Sequence, residues 1–329
     1  MAKSFHAAIT GCGAAVPEKV LSNTDFESFL DTSDAWITKR TGIKERRICA
    51  EGESTADLAT AAAREAMKDA SVTADQIDLI ICATISPEMP FPATACFVQR
   101  NIEAKDVPAF DISAACSGFV YALSTATQFI ETGQYKRVLV IGVDVLSRFT
   151  DYTDRGSCIL FGDGAGAVVL EATAEDKGVQ FTCLNADGEG WDFIHVPAGG
   201  AKLPASEETV ANRQHFVQLR GRDVYKFAVD RMQWLLGHCM EQTGLSVADV
   251  DLVVPHQVNT RIIQSATEKF DFPMDKIYLN IEKYGNTSGA SVPLALAEAM
   301  QEGRIQPGST VLLVAFGAGL TWAGAVVKF

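Results

Sequence analysis

The segment Ile77-Asp78-Leu79-Ile80-Ile81 returns as Val250-Asp251-Leu252-Val253-Val254, 173 positions later. The same offset carries Val138-Leu139-Val140-Ile141 onto Val311-Leu312-Leu313-Val314, and His6–Thr10 onto Val179–Cys183. A fourth match, Gly166-Ala167-Val168-Val169 with Gly324-Ala325-Val326-Val327, has an offset of 158. The first half thus carries about 15 extra residues between its last two strands, somewhere in 144–162. Self-similarity at a fixed offset restricts the chain to an architecture of two like halves, 1–172 and 173–329.

Each half reads strand, helix, strand, helix, strand, helix, strand, strand. The predicted helices are Ser54–Asp69, Thr94–Asn101 and Cys116–Thr132, then Asp223–Thr243, Asn259–Phe270 and Ser288–Gln301. Strands of near-continuous apolar character alternating with helices imply mixed, mostly parallel sheets covered on both faces. In such α/β layers, sites gather at the carboxyl ends of strands.

Composition narrows the function. At 47% hydrophobic and 21% charged, the chain is globular and not disordered. No apolar run approaches the roughly 18 residues that span a bilayer. The start, Met1-Ala2-Lys3-Ser4-Phe5-His6, lacks a signal-peptide core, so a cytoplasmic protein is expected, with no membrane partner. A net charge of −13 argues against nucleic acid as a partner. It also means that an acidic partner would need a local basic patch.

Eight cysteines (12, 49, 82, 96, 116, 158, 183 and 239) include no CxxC pair and no histidine at metal spacing, so no metal is expected. Seven read as core thiols. Cys116 differs: the apolar run Val107 to Ile112 reads as a strand and Phe119 to Ile130 as a helix, which places it at a strand-to-helix turn. Free backbone N–H groups and the helix dipole there favour an anion and would pull a thiol pKa down toward neutrality. Adding 173 to 116 lands in the polar, glycine-rich Tyr284-Gly285-Asn286-Thr287-Ser288-Gly289-Ala290-Ser291. The strand at 250–254 runs straight into Pro255-His256-Gln257-Val258-Asn259. His256 and Asn286 would then face Cys116 across the pseudo-dyad.

Cys, His and Asn in this setting resemble the β-ketoacyl-acyl carrier protein synthase III family, whose fold is thiolase-like, a layered α-β-α-β-α arrangement. The likeness spans essentially the whole chain. It includes Asp31-Thr32-Ser33-Asp34-Ala35-Trp36-Ile37, Arg40-Thr41-Gly42-Ile43, Ala114-Ala115-Cys116-Ser117-Gly118-Phe119, Thr153-Asp154-Arg155-Gly156 and Phe161-Gly162-Asp163-Gly164-Ala165-Gly166-Ala167. It continues through HQVN at 256–259, GNTSGAS at 285–291 and FGAGLTWAG at 316–324.

The resemblance implies that Cys116 takes the acyl group of an acyl-CoA primer and releases CoA. Malonyl-acyl carrier protein then loses carbon dioxide, and the carbanion attacks the acyl-cysteine. His256 and Asn286 would donate to the enolate oxygen. Ala318 and Gly319 lie in the loop that, with the Cys116 N–H, would receive the acyl oxyanion; Ala318 stands where the family often has glycine. The family also implies a homodimer and no cofactor beyond the CoA thioester substrate.

Other residues carry two readings each. Trp36 is a core indole, or stacks on adenine opposite Arg155. Thr32 and Arg40 would contact the nucleotide end, and Asn259 the pantetheine arm or the loop lining it; Arg40 is otherwise a solvated charge. Arg222, Lys226 and Arg261 would dock the acidic carrier. Phe91 either anchors its proline-rich loop or reaches across a dimer to close the partner's acyl pocket, favouring acetyl-sized primers. A starter-unit or secondary-metabolite ketosynthase with another primer is the alternative enzyme. A silent acyl-CoA-binding protein is disfavoured, because a binder needs none of the Cys, His and Asn chemistry. The GDGAG at 162–166 lacks the GxGxxG register and precedes a strand, so a dinucleotide site is not expected.

Overall fold

Strands β1 (His6–Ala15), β2 (Leu79–Ala83), β3 (Ala109–Ile112), β4 (Arg137–Val145) and β5 (Asp163–Thr173) form one sheet, ordered β1-β5-β4-β2-β3. Strands β6 (Gly178–Ala186), β7 (Leu252–Pro255), β8 (Thr310–Gly317) and β9 (Thr321–Lys328) form a second, ordered β7-β8-β9-β6. The computed structural model describes residues 5–329; the reading of residues 1–4 lies outside them. The register repeats with the sequence: Leu79 pairs with Val138 and, at the same offset, Leu252 with Val311.

The sheets are less parallel than the apolar runs imply. β2 runs parallel to β3 and β4, and β7 to β8. β5 and β9 lie antiparallel to both of their neighbours. Only Ala318-Gly319-Leu320 separates β8 from β9, and so short a link permits only an antiparallel return.

The helices that cover the sheets and frame the site are α1 (Asp34–Thr41), α2 (Thr55–Asp69), α3 (Thr94–Asn101), α4 (Gly118–Glu131), α5 (Gly221–Thr243), α6 (Thr260–Thr267), α7 (Ile281–Tyr284) and α8 (Ser291–Gln301). α4 and α8 lie between the sheets. Phe119, Leu123 and Ile130 of α4 and Val292, Leu296 and Ala299 of α8 share one buried cluster with β2, β4, β7 and β8. Burial against both sheets explains why α4 carries so many apolar and small side chains, with Gln128 its one exposed residue. Each such large side chain contributes about 1.5–3 kcal/mol of burial. α2 and α3 cover the outer face of the first sheet, and α5 and α6 that of the second. The five layers are α-β-α-β-α.

One expected strand is absent. In the second half, the counterpart of β3 is a single bridge from Ile277 to Val253, followed by α7. The Gln257 side chain replaces the ladder. Its Oε1 accepts from Asn280 N (3.1 Å) and Ile281 N (3.2 Å), and its Nε2 donates to Tyr278 O (3.0 Å). The first half's extra residues pack elsewhere, with Cys158 and Ile159 against Phe26 and Ile37 of the α1 region. Among the described residues, no helix is long and apolar enough to cross a membrane.

Candidate active site

Cys116 sits on a short 3-10 turn (Ala115–Ser117) between β3 and α4. Ala115 takes a left-handed φ of +48°, which is strained for a residue with a Cβ. Gly317, at the end of β8, backs onto the turn: a Cβ there would lie 2.7 Å from Cys116 N and 3.0 Å from Cys116 Cβ. Thr321 ties the next loop to the same turn, donating at 2.9 Å to Ala114 O and 3.1 Å to Ala318 O.

His256 follows β7 directly. Its N–H donates to Val314 O at 2.8 Å, and its ring stands edge-on to Phe316 with 5.5 Å between centroids. It is 1% exposed, and its Nδ1 lies 2.6 Å from Ser291 Oγ. Asn286 is pinned at both backbone ends, N to Leu160 O (2.8 Å) and O to Gly162 N (3.0 Å). Its side-chain Oδ1 accepts from Ser288 N at 2.8 Å, so the amide turns its NH₂ the other way.

Cys116, His256 and Asn286 line one cavity of about 680 Å³, together with Ser288, Gly317 and Ala318. Electrostatics correct one expectation. Burial pushes the Cys116 thiol up to about 12; Ser288, 3.5 Å from the sulfur, offsets this in part and Asp144 adds to it. Desolvation therefore outweighs the turn's pull toward neutrality. Burial alone lowers the His256 imidazole to about 3. Both groups are neutral at pH 7, and moving the thiol proton to the ring is uphill. His256 in this state is a hydrogen-bonding group, not a base.

The other expected residues divide between the cavity and its surroundings. Arg40, Arg222, Asn259 and Arg261 line the cavity. Asn259 spends its side chain locally: its Nδ2 donates to Arg40 O (3.0 Å) and its Oδ1 caps α6 through Arg261 N (2.9 Å). Trp36 packs partly buried beside the Phe26 cluster. The guanidinium carbons of Arg40 and Arg155 lie 5.2 Å and 5.1 Å from its ring centroid. Arg155 also donates to Asp31 O at 2.7 Å. Thr32 Oγ1 is buried without a hydrogen-bond partner. Lys226 is exposed on α5, Gly319 does not line the cavity, and Phe91 is 83% exposed. Among the described residues no group of three or more His, Cys, Asp or Glu is placed to hold a metal ion.

The chain matches the 3-oxoacyl-[acyl-carrier-protein] synthase III family over residues 110–188 and that family's C-terminal region over 240–329. A β-ketoacyl-[acyl-carrier-protein] synthase III from Caldanaerobacter subterraneus subsp. tengcongensis is 49% identical over 329 residues, covering 100% of this chain and 99% of the relative. The chain belongs to this family. The synthase III of Symbiobacterium thermophilum is 51% identical over 321 residues, covering 98% and 97% of the two chains. The crystal structure of 3-oxoacyl-[acyl-carrier-protein] synthase III from Aquifex aeolicus superposes with a TM-score of 0.91 at 44% identity, covering 98% of this chain and 100% of that one.

Within this synthase III framework, three residues at the site went unassigned in the sequence. Ser288 and Ser291 stand inside the GNTSGAS run but carry no catalytic label of their own. Gly317 stands inside the FGAGLTWAG run without a role of its own; its offset makes it the counterpart of Asp144, 173 residues earlier.

Proposed function

We propose that the chain condenses an acyl-CoA primer, acetyl-CoA above all, with malonyl-acyl carrier protein to give a 3-oxoacyl-acyl carrier protein, starting fatty acid synthesis in the cytoplasm. The observation that carries the reading is the convergence of Cys116, a neutral His256 and an amide-donating Asn286 on one cavity.

Cys116 Sγ attacks the primer's thioester carbonyl, and the oxyanion is received by the Cys116 and Ala318 N–H groups. The bond to CoA breaks and CoA leaves as the thiol, carrying the proton that the cysteine gave up. Malonyl-acyl carrier protein follows, and its terminal C–C bond breaks to release carbon dioxide. The electron pair passes to the thioester oxygen as an enolate, held by His256 Nε2–H and Asn286 Nδ2–H. The enolate carbon then attacks the acyl-cysteine, and the sulfur departs from the new ketone as the thiolate, which takes a proton from solvent to restore the neutral thiol.

CoA enters past Arg40 and Asn259, with its adenine between Trp36 and Arg155. An aromatic layer between two others needs roughly 7 Å of separation, so Arg155, 5.1 Å from the indole, swings away on binding. Thr32 offers its unpartnered hydroxyl to the nucleotide. Arg222, Lys226 and Arg261 receive the acidic carrier. A homodimer is supported by β3, a sheet-edge strand with one neighbour, and by the exposed Phe91, whose ring closes the partner's acyl pocket.

Acetyl-CoA should add one acetyl group to the intact protein, read by mass, and Cys116→Ala should add none. Absence of the adduct in the unaltered protein would sink the reading. His256→Ala and Asn286→Ala should still acylate and lose malonyl decarboxylation.

A further inference from the structure

Ser291 Oγ has three polar neighbours and one hydrogen. His256 Nδ1 lies at 2.6 Å, Ser288 O at 2.9 Å and Gln257 N at 3.4 Å. Gln257 N–H can only donate into the hydroxyl oxygen. The hydroxyl hydrogen therefore goes either to Ser288 O or to the ring nitrogen. In the first case Nδ1 must carry the proton, and Nε2 turns a lone pair to the cavity. In the second case Nδ1 accepts, and the proton sits on Nε2.

One packing observation favours the second arrangement. Ser288 O already accepts from Ser291 N–H, so releasing the hydroxyl leaves that carbonyl satisfied. The ring is buried and neutral at pH 7, so one of its nitrogens carries a hydrogen and the other accepts. An enolate oxygen selects between the two tautomers, because a lone pair facing it repels and an N–H stabilises. The other half of the repeat shows that the pair belongs together. The counterparts of His256 and Ser291 are Ala83 and Gly118, two small residues in the same contact, where a Cβ at 118 would lie 3.1 Å from Ala83 Cβ. The polar ring and its polar support replace a small–small pair at both positions.

We infer that Ser291 is the positioning residue that donates to His256 Nδ1 and so holds the proton on Nε2, facing the cavity, for the decarboxylation step. The inference rests on His256 acting as a donor to the enolate. It confines the role of Ser291 to the second half-reaction, since acylation of Cys116 uses backbone donors.

The test separates the half-reactions. In Ser291→Ala, acetyl transfer to Cys116 should stay within about twofold, while kcat for condensation falls by about 10²-fold, the effect of losing one oxyanion donor. KM for the malonyl substrate should change little. Ser291→Thr, which keeps the hydroxyl, should restore most of the rate. Nitrogen-15 spectra of the unaltered acetyl-enzyme, assigned by difference from His256→Gln, should show the His256 proton on Nε2. A proton on Nδ1 there, or full condensation by Ser291→Ala, overturns the inference and leaves the donor reading standing. Full condensation by His256→Ala would overturn the donor reading itself. Should Ser291→Ala fail to fold, the spectrum of the unaltered enzyme still decides.

Discussion

At the turn before α4, Ala115 takes φ +48° and Cys116 follows; at the turn before α8, Ser288 takes φ +50° and Gly289 follows. Each turn continues through a short 3-10 segment into a central helix, and each backs onto the end of a strand from the other pair: Gly317 against Cys116, Asp144 against Gly289. The backbone is the same device used twice. The difference lies in what faces it. Asp144 Oδ2 accepts from Gly289 N at 2.9 Å, whereas Gly317 leaves the space beside Cys116 N open. A single side chain thus distinguishes a filled anion position from one available to substrate.

Four measurements bear on this comparison. The first concerns the nucleophile. With the Cys116 thiol raised to about 12 by burial, iodoacetamide should modify the ligand-free enzyme tenfold faster per pH unit, or about 10³-fold between pH 6 and 9. The thiolate fraction rises with pH until the pKa is reached, so a plateau near neutrality would refute the neutral-thiol state. Next comes Gly317→Ala, whose Cβ would meet Cys116 N at 2.7 Å. It should slow acetyl transfer by about 10²-fold. Acylation at an unchanged rate would show that the first-half anion position lies elsewhere.

The third measurement addresses the filled position. Asp144 Oδ1 accepts from Ile85 N, Ser86 N and the Thr84 and Ser86 hydroxyls, while Oδ2 takes Gly289 N. Asp144→Asn turns a donor toward one of these groups and should cost about 2–3 kcal/mol in denaturant unfolding. A loss below about 0.5 kcal/mol would mean that the carboxylate does not hold the second turn. The smallest effect belongs to the insertion. Arg213 holds the Asp151 carboxyl well below the usual aspartate range, across a pair that is partly exposed. Because the folded pKa is lowered, its stabilisation is present above about pH 4 and fades as the solution is acidified. Arg213→Ala should lose less than about 1 kcal/mol at pH 7, and a smaller amount near pH 2, where the pair is weakened but the carboxyl is still partly ionised. An equal loss at both pH values would point to packing instead of charge.

Much of this arrangement was legible in the sequence. The 173-residue offset marks strands of both sheets, and it leads from Cys116 to the Asn286 turn and the His256 strand end. What escaped was whatever depends on contact between distant segments. Gln257 reads as an ordinary polar residue after a strand, yet its amide takes over the ladder of a strand that never forms. Gly317 reads as one more glycine in a loop, because the need for an absent Cβ arises only when β8 meets the Cys116 turn. The thiol's shift runs against the local signal: the sequence shows a helix N-terminus, but burial of the sulfur in the folded chain pushes its pKa up. Ser291 is one serine of the GNTSGAS run, and only its 2.6 Å contact with His256 Nδ1 singles it out.

The carboxylate of Asp144 also sets a stoichiometry. A duplicated scaffold with two equivalent turns has, in principle, two places to load. In this chain the second is occupied by a group that cannot leave, and Gly289 offers no sulfur beside it. The geometry therefore leaves one such position open per chain.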